Sequence, residues 1–152
     1  MAELGFRHFV GVDGSKGMLE LAAKTGLYQD LRLALLGTQP LPAQTGSFDV
    51  VIIIGALRDG FVPVSVVREL CDAAKPGGYI CMSRVNLKSE SGEQYRECME
   101  RELQLMEEEG LWTHLVTKDM DKYMMDVYNS SKVEELTNQY LNGSMYLYKK
   151  SA

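Results

Sequence analysis

The sequence predicts an α/β fold, a mostly parallel sheet with helices on both faces and a late antiparallel strand. Three observations predict it. Residues 49–56, DVVIIIGA, carry five consecutive β-branched residues without alternation, the pattern of a central strand covered on both faces. Residues 8–13, HFVGVD, form a short β-rich run that ends in an acid and Gly14 and leads into a helical pattern. The turn Lys75-Pro76-Gly77-Gly78 separates a second helical pattern from the apolar run YICMSRV at 79–85. Strands alternating with helices call for parallel pairing.

The elements follow in order. HFVGVD is read as a buried strand, with Ser15 as cap of the next helix. Met18, Leu19, Leu21 and Ala22 give that helix an apolar face, and Gly26 can end it. LRLALL, residues 31–36, is a second strand, and GTQPLPAQTGS is a loop. After the β-branched strand, Pro63 can open a helix whose buried face is Val66, Val67, Leu70, Cys71 and Ala74. Ser91 to Gly110 reads as a long charged helix with Tyr95, Cys98, Met99, Leu103 and Met106 as its apolar stripe. Its acids Glu107, Glu108 and Glu109 read as a solvated face near the unfavourable helix end. Trp112 to Val116 begins another strand. Residues 121–142 are ambiguous, with a helix candidate from Ser130 to Tyr140. SMYLYKK, residues 144–150, alternates cleanly as a last strand.

The 152 residues suit one domain, and 45% hydrophobic with 24% charged residues is globular composition. A net charge of −5 with interleaved bases argues against nucleic acid as a partner and against acidic lipid surfaces. Cys71, Cys81 and Cys98 have no metal-knuckle spacing and read as buried or half-buried thiols of a reducing compartment. No apolar run is long enough to span a bilayer, so no membrane association is expected. The N-terminus does not read as a signal peptide, and the expected location is cytoplasmic.

Asp13 is the first functional candidate. Open α/β sheets bind ligands at the carboxyl ends of their strands, where a carboxylate can accept both hydroxyls of a ribose. Capping of the next helix together with Ser15 is the alternative. Gly11, Gly14 and Gly17 resemble a dinucleotide fingerprint, but Gly11 lies in the strand and the acid sits between the glycines. A phosphate loop places its acid roughly 20 positions later. The chain thus reads as the later part of a nucleotide-binding domain without the usual phosphate loop. Leu36-Gly37-Thr38 can border an adenine or form an ordinary strand exit. Gly55, Ala56, Leu57 and Arg58 border the same crevice. Arg58 and Asp59 can contact a polar substrate or form a surface ion pair. Tyr79, Tyr95 and His114 read as packing residues. No Ser-His-Asp, Cys-His or paired-carboxylate constellation is evident.

Taken in order, FVGVDGSKGMLELAAKTGLYQDL, PLPAQTGSFDVVIIIGAL and DAAKPGGYICMS resemble the class I S-adenosylmethionine-dependent methyltransferases. The likeness covers most of residues 8–86 and continues more weakly to MYLYKK. It implies a Rossmann-like methyltransferase sheet, S-adenosyl-L-methionine as cofactor, and a small-molecule or protein as methyl acceptor. It implies that Asp13 binds the donor's ribose, with Gly14 and Ser15 beside it and Met18 near the adenine. Leu36 and Gly37 match the adenine flank. Gly55, Ala56 and Leu57 match the methionine end and the substrate side. Lys75 to Tyr79 match a structural turn. Such enzymes work by orientation, which fits the missing triad.

The family normally begins with a strand ending in a D-x-G-x-G-x-G loop. Here MAELGFR resembles the tail of the helix that follows that strand. The first strand is therefore expected to be missing, the domain N-terminally truncated and its activity weak. The sheet is expected to close up by direct pairing of its neighbours, to dimerise through the exposed edge, or to be only marginally stable. An open edge also suits a second function class, a non-catalytic interaction module that recruits a partner by strand addition. A dehydrogenase-like nicotinamide site fits the acid but not the KPGGY turn. Acceptor specificity is expected in the loops after Gly55 and in residues 118–142, where Tyr123, Met124, Met125 and Tyr128 can line a pocket or form a packed cover.

Overall fold

The structure, a computed structural model, describes residues 1–125 and 140–152. It divides into two compact units, Met1–Ala43 and Gln44–Ala152. Of the helix candidate Ser130–Tyr140, only Tyr140 lies among the described residues, and it is the first residue of a strand and not part of a helix; Tyr128 also lies outside them.

The first unit opens on a short 3-10 turn, Ala2–Leu4. Strand β1 (Val10–Asp13) pairs in parallel with β2 (Asp30–Leu33), and helix α1 (Lys16–Ala23) joins them. Ser15 caps α1 as expected, its Oγ accepting the Met18 N–H at 3.3 Å. Gly11 lies under the Tyr28 ring and Leu31, where a Cβ would come within 2.8 Å of the leucine. Phe9 and Tyr28 meet edge to face at 6.3 Å. The expected apolar face of α1 divides in two. Leu19 and Ala22 are half-buried, whereas Met18 and Leu21 are exposed. The second strand stops at Leu33 and not at Leu36, because the chain turns through Gly37 at φ 94°.

The second unit is a four-stranded sheet in the order β3-β4-β6-β5. Strands β3 (Phe48–Ile54) and β4 (Ala74–Val85) are parallel. Strand β6 (Tyr140–Lys150) runs antiparallel to β4 and to β5 (Trp112–Met125), as the alternation of SMYLYKK predicts. The β-branched strand stands at one end of this order. Ile53 is buried, but Ile54 is 61% exposed, so β3 is not covered on both faces within this sheet. An unbroken apolar run permits two-sided cover, but only neighbouring elements supply it.

Helix α2 (Val66–Ala73) buries Val66, Val67, Leu70 and Cys71, as its spacing predicts. Ala74, read as part of that face, is buried instead as the first residue of β4. Helix α3 (Glu90–Glu108) is capped by Ser89 and buries Met99, Leu103 and Met106. Cys98 is exposed, which corrects its reading as a buried or half-buried thiol. It lies one residue before Met99, about 100° around the helix from the buried stripe. The acids at the end of α3 are not merely solvated. Arg68 pairs with Glu102 and, at 2.8 Å, with Glu109, and this guanidinium holds the Glu109 carboxyl below its ordinary range. Glu107 Oε1 accepts the His114 N–H at 3.0 Å, tying α3 to β5.

Lys75–Gly78 is a kinked start of β4, and the pairing with β3 shifts register between Phe48 and Val50. A Cβ at Gly78 would lie 2.9 Å from the Lys75 carbonyl oxygen and 3.0 Å from that of Asp49. Gly78→Ala must displace backbone on two strands. It is expected to destabilise the protein by about 1–3 kcal/mol, the range for overpacking, read as a lower urea midpoint at unchanged m-value.

Candidate functional site

Asp13 closes β1 at its carboxyl end, half-buried. Its Oδ1 accepts the Ser15 N–H at 2.8 Å, and its backbone carbonyl accepts the Ala34 N–H at 3.1 Å. The first bond fixes the carboxylate over the helix start, and the second fastens the exit of β2 beside it. Among the described residues, Oδ2 has no hydrogen-bond partner. Gly14 follows without a side chain; a Cβ there would lie 3.0 Å from Leu35 Cδ1. Leu35 is 60% exposed, while Leu36 is half-buried. The turn after them is held by the Thr38 hydroxyl, which donates to the Leu35 carbonyl at 2.8 Å, and by Gln39, whose Oε1 accepts the Leu35 N–H at 2.9 Å. Met18, 55% exposed, stands in the first turn of α1.

Asp13, Gly14, Met18, Leu36 and Gly37 thus share the carboxyl end of the β1–β2 pair. Leu35 joins them and was not singled out from the sequence. With the strand ending at Leu33, the alternation that would assign Leu35 a face no longer applies. What this end offers is a fixed carboxylate, a backbone without a Cβ, and exposed apolar side chains. Those are the groups a ribose and an adenine ring require, so the residues present fit a nucleoside.

Gly55 and Ala56 belong to the second unit, just beyond β3. Gly55 has φ 71°, a left-handed conformation that favours glycine, and its N–H donates to the Ser83 carbonyl at 3.0 Å. The Ala56 carbonyl accepts from Arg58 and Val62, each at 3.0 Å, and Leu57 is buried beneath that turn. The Arg58 guanidinium lies 4.0 Å over the centre of the exposed Phe61 ring. A cleft of about 370 Å³ beside it is lined by Arg58, Phe61, Gln94, Tyr95 and Cys98. Tyr95 donates to the Val62 carbonyl at 2.6 Å, and burial pushes its phenol well up, in keeping with a packing role. His114 is exposed and stands edge to face with Tyr148. A larger cleft of about 1270 Å³ lies beside α3 and the β4-β6-β5 strands, contains none of the seven predicted site residues, and is lined by charges of both signs. Among the described residues, no cluster of three or more His, Cys, Asp or Glu could hold a metal ion, and no helix is long and apolar enough to cross a membrane.

An α/β fold of parallel βα units closed by antiparallel strands, with a carboxylate at the end of its first strand, defines a class. Residues 1–139 match a family described as a methyltransferase domain, and the chain belongs to that family. It is 47% identical over 119 residues to methyltransferase-like protein 27 of Homo sapiens, covering 78% of this chain and 47% of that protein. It is 33% identical over 75 residues to tRNA U34 carboxymethyltransferase of Desulfotalea psychrophila, covering 49% of this chain and 22% of that enzyme. The chain therefore matches about half or less of the length of these curated relatives. Among solved structures, an S-adenosylmethionine-dependent methyltransferase of Methanosarcina mazei shares the fold at TM-score 0.62 and 14% identity, with 95% of this chain and 82% of that one covered.

Proposed function

We propose that this chain binds S-adenosyl-L-methionine and serves methyl transfer to a small-molecule or protein acceptor. The observation that carries this reading is Asp13. Its carboxylate is oriented by the Ser15 amide through one oxygen only, at the carboxyl end of a parallel strand. Asp13 accepts hydrogen bonds from the ribose hydroxyls. Gly14 allows the nucleoside to approach the backbone, and Leu36 and Gly37 flank the adenine with Met18 on its other side. By the family likeness, the residues assigned to the methionine end are Gly55 and Ala56 of the second unit. When bound, the donor supplies an electrophilic methyl group on a sulfonium. The chain's own part is then to hold and orient the reactants, which needs no acid–base pair among its side chains. Calorimetric titration with S-adenosylhomocysteine tests this: saturable micromolar binding is expected, and no binding at millimolar ligand overturns it.

A further inference from the structure

Beyond Gly55 and Ala56, one side chain of the second unit reaches the carboxyl end of β3. Tyr123 Oη is the nearest atom to the position a Cβ would take at Gly55, at 3.3 Å. The same hydroxyl lies 2.8 Å from Ser83 Oγ, near the carboxyl end of β4. Ser83 is buried, and its carbonyl already holds the Gly55 N–H. One phenol thus links the ends of two parallel strands where open α/β sheets present their ligands.

The backbone is shaped to bring it there. The β5–β6 register runs Met120↔Gly143 and then Met124↔Leu141, so three residues of β5 bulge opposite Asn142. Within the bulge, Lys122 has φ 56°, the one positive φ at a non-glycine residue among those described. The Tyr123 side chain then covers Gly143, where a Cβ would come within 2.3 Å of the ring. A left-handed lysine, a bulge and a glycine with no room for a side chain all serve the placement of one hydroxyl. Local strain of this kind collects where function requires it.

We infer that Tyr123, held by Ser83, orients the methyl acceptor, and that the acceptor's nucleophile is an N–H or O–H group. This rests on the donor-site reading above. In the transfer, the acceptor heteroatom's lone pair forms the bond to the methyl carbon. The carbon–sulfur bond breaks with its electrons left on sulfur, and the acceptor's proton goes to water. The phenol oxygen accepts a hydrogen bond from the nucleophile and keeps its lone pair aimed along the line of attack. Tyr123 is a positioning residue, and its own proton stays shared with Ser83.

The test needs no knowledge of the acceptor. Sinefungin carries an ammonium-bearing carbon where S-adenosylmethionine has its methyl sulfonium, whereas S-adenosylhomocysteine has a neutral thioether sulfur with no group in the methyl position. Calorimetry on the full chain compares the two ligands on wild type, Tyr123→Phe and Ser83→Ala. Tyr123→Phe is expected to weaken sinefungin about tenfold and S-adenosylhomocysteine less than twofold, since phenylalanine keeps the ring on Gly143 but cannot accept. Ser83→Ala is expected to shift the ratio in the same direction by about threefold. A ratio unchanged in both variants, with S-adenosylhomocysteine still bound, overturns the role of Tyr123 alone. Failure of wild type to bind either ligand overturns this role and the donor-site reading together.

Discussion

Replacing Asp13 with alanine is expected to weaken S-adenosylhomocysteine binding about 30- to 150-fold. The estimate comes from the charge of the acceptor. Hydrogen bonds to ionised groups contribute about 1.5–3 kcal/mol, and losing a carboxylate that receives ribose hydroxyls removes about 2–3 kcal/mol of binding. The loss falls on the ligand because Asp13 makes only one side-chain bond within the described protein, to the Ser15 amide. That bond lies at an exposed chain reversal, so stability is expected to change by less than about 1 kcal/mol. Asp13→Asn separates the two effects. It can keep the bond to Ser15, but it replaces one oxygen with a donor and removes the charge, so binding is expected to fall about tenfold with stability unchanged. Equal affinity in wild type and both variants would remove Asp13 from the donor site and leave it a helix-start residue.

How far these features were legible in the sequence depended on whether their cause was local. The end of β1, the acid that closes it and the Ser15 cap are written in six consecutive residues, and the structure places them as read. The buried face of α2 follows from spacing alone, and the alternation of SMYLYKK yields an antiparallel strand. Other features are decided by distant partners. Glu109 counts as an unfavourable acid at a helix end until Arg68 of α2 is seen to meet it. Leu35 became exposed because a turn through Gly37 ended the strand early. Tyr123 could be named as a pocket residue or a cover, but nothing in its neighbourhood announces that a bulge and Gly143 carry its hydroxyl to Gly55. The faint signal was Gly143 itself, a glycine inside a strand pattern, which often marks close approach by another group.

The same distinction governs the second large effect, at Trp112. The sequence marks it only as the start of a strand. In the structure it is 1% exposed, its ring stacks on Tyr148 at 4.2 Å and 28°, and its Nε1 donates to the Leu103 carbonyl at 3.3 Å. It thereby joins α3 to β5 and to the carboxyl-terminal part of β6, and the burial that surrounds the pair pushes the Tyr148 phenol up to about 12. Trp112→Ala is expected to cost about 3–5 kcal/mol, from lost transfer energy and the cavity left behind. Total stabilities of domains are about 5–15 kcal/mol, so this variant should stand near its unfolding midpoint in mild urea. Trp112→Phe keeps a stacked ring and loses the indole donor and part of the volume, and an intermediate cost is expected. Because Trp112 is the only tryptophan, fluorescence disappears with it, and far-UV circular dichroism must follow the urea transition. A loss below about 1 kcal/mol for alanine would mean that α3 is held to the sheet by Met99, Leu103 and Met106 without the indole.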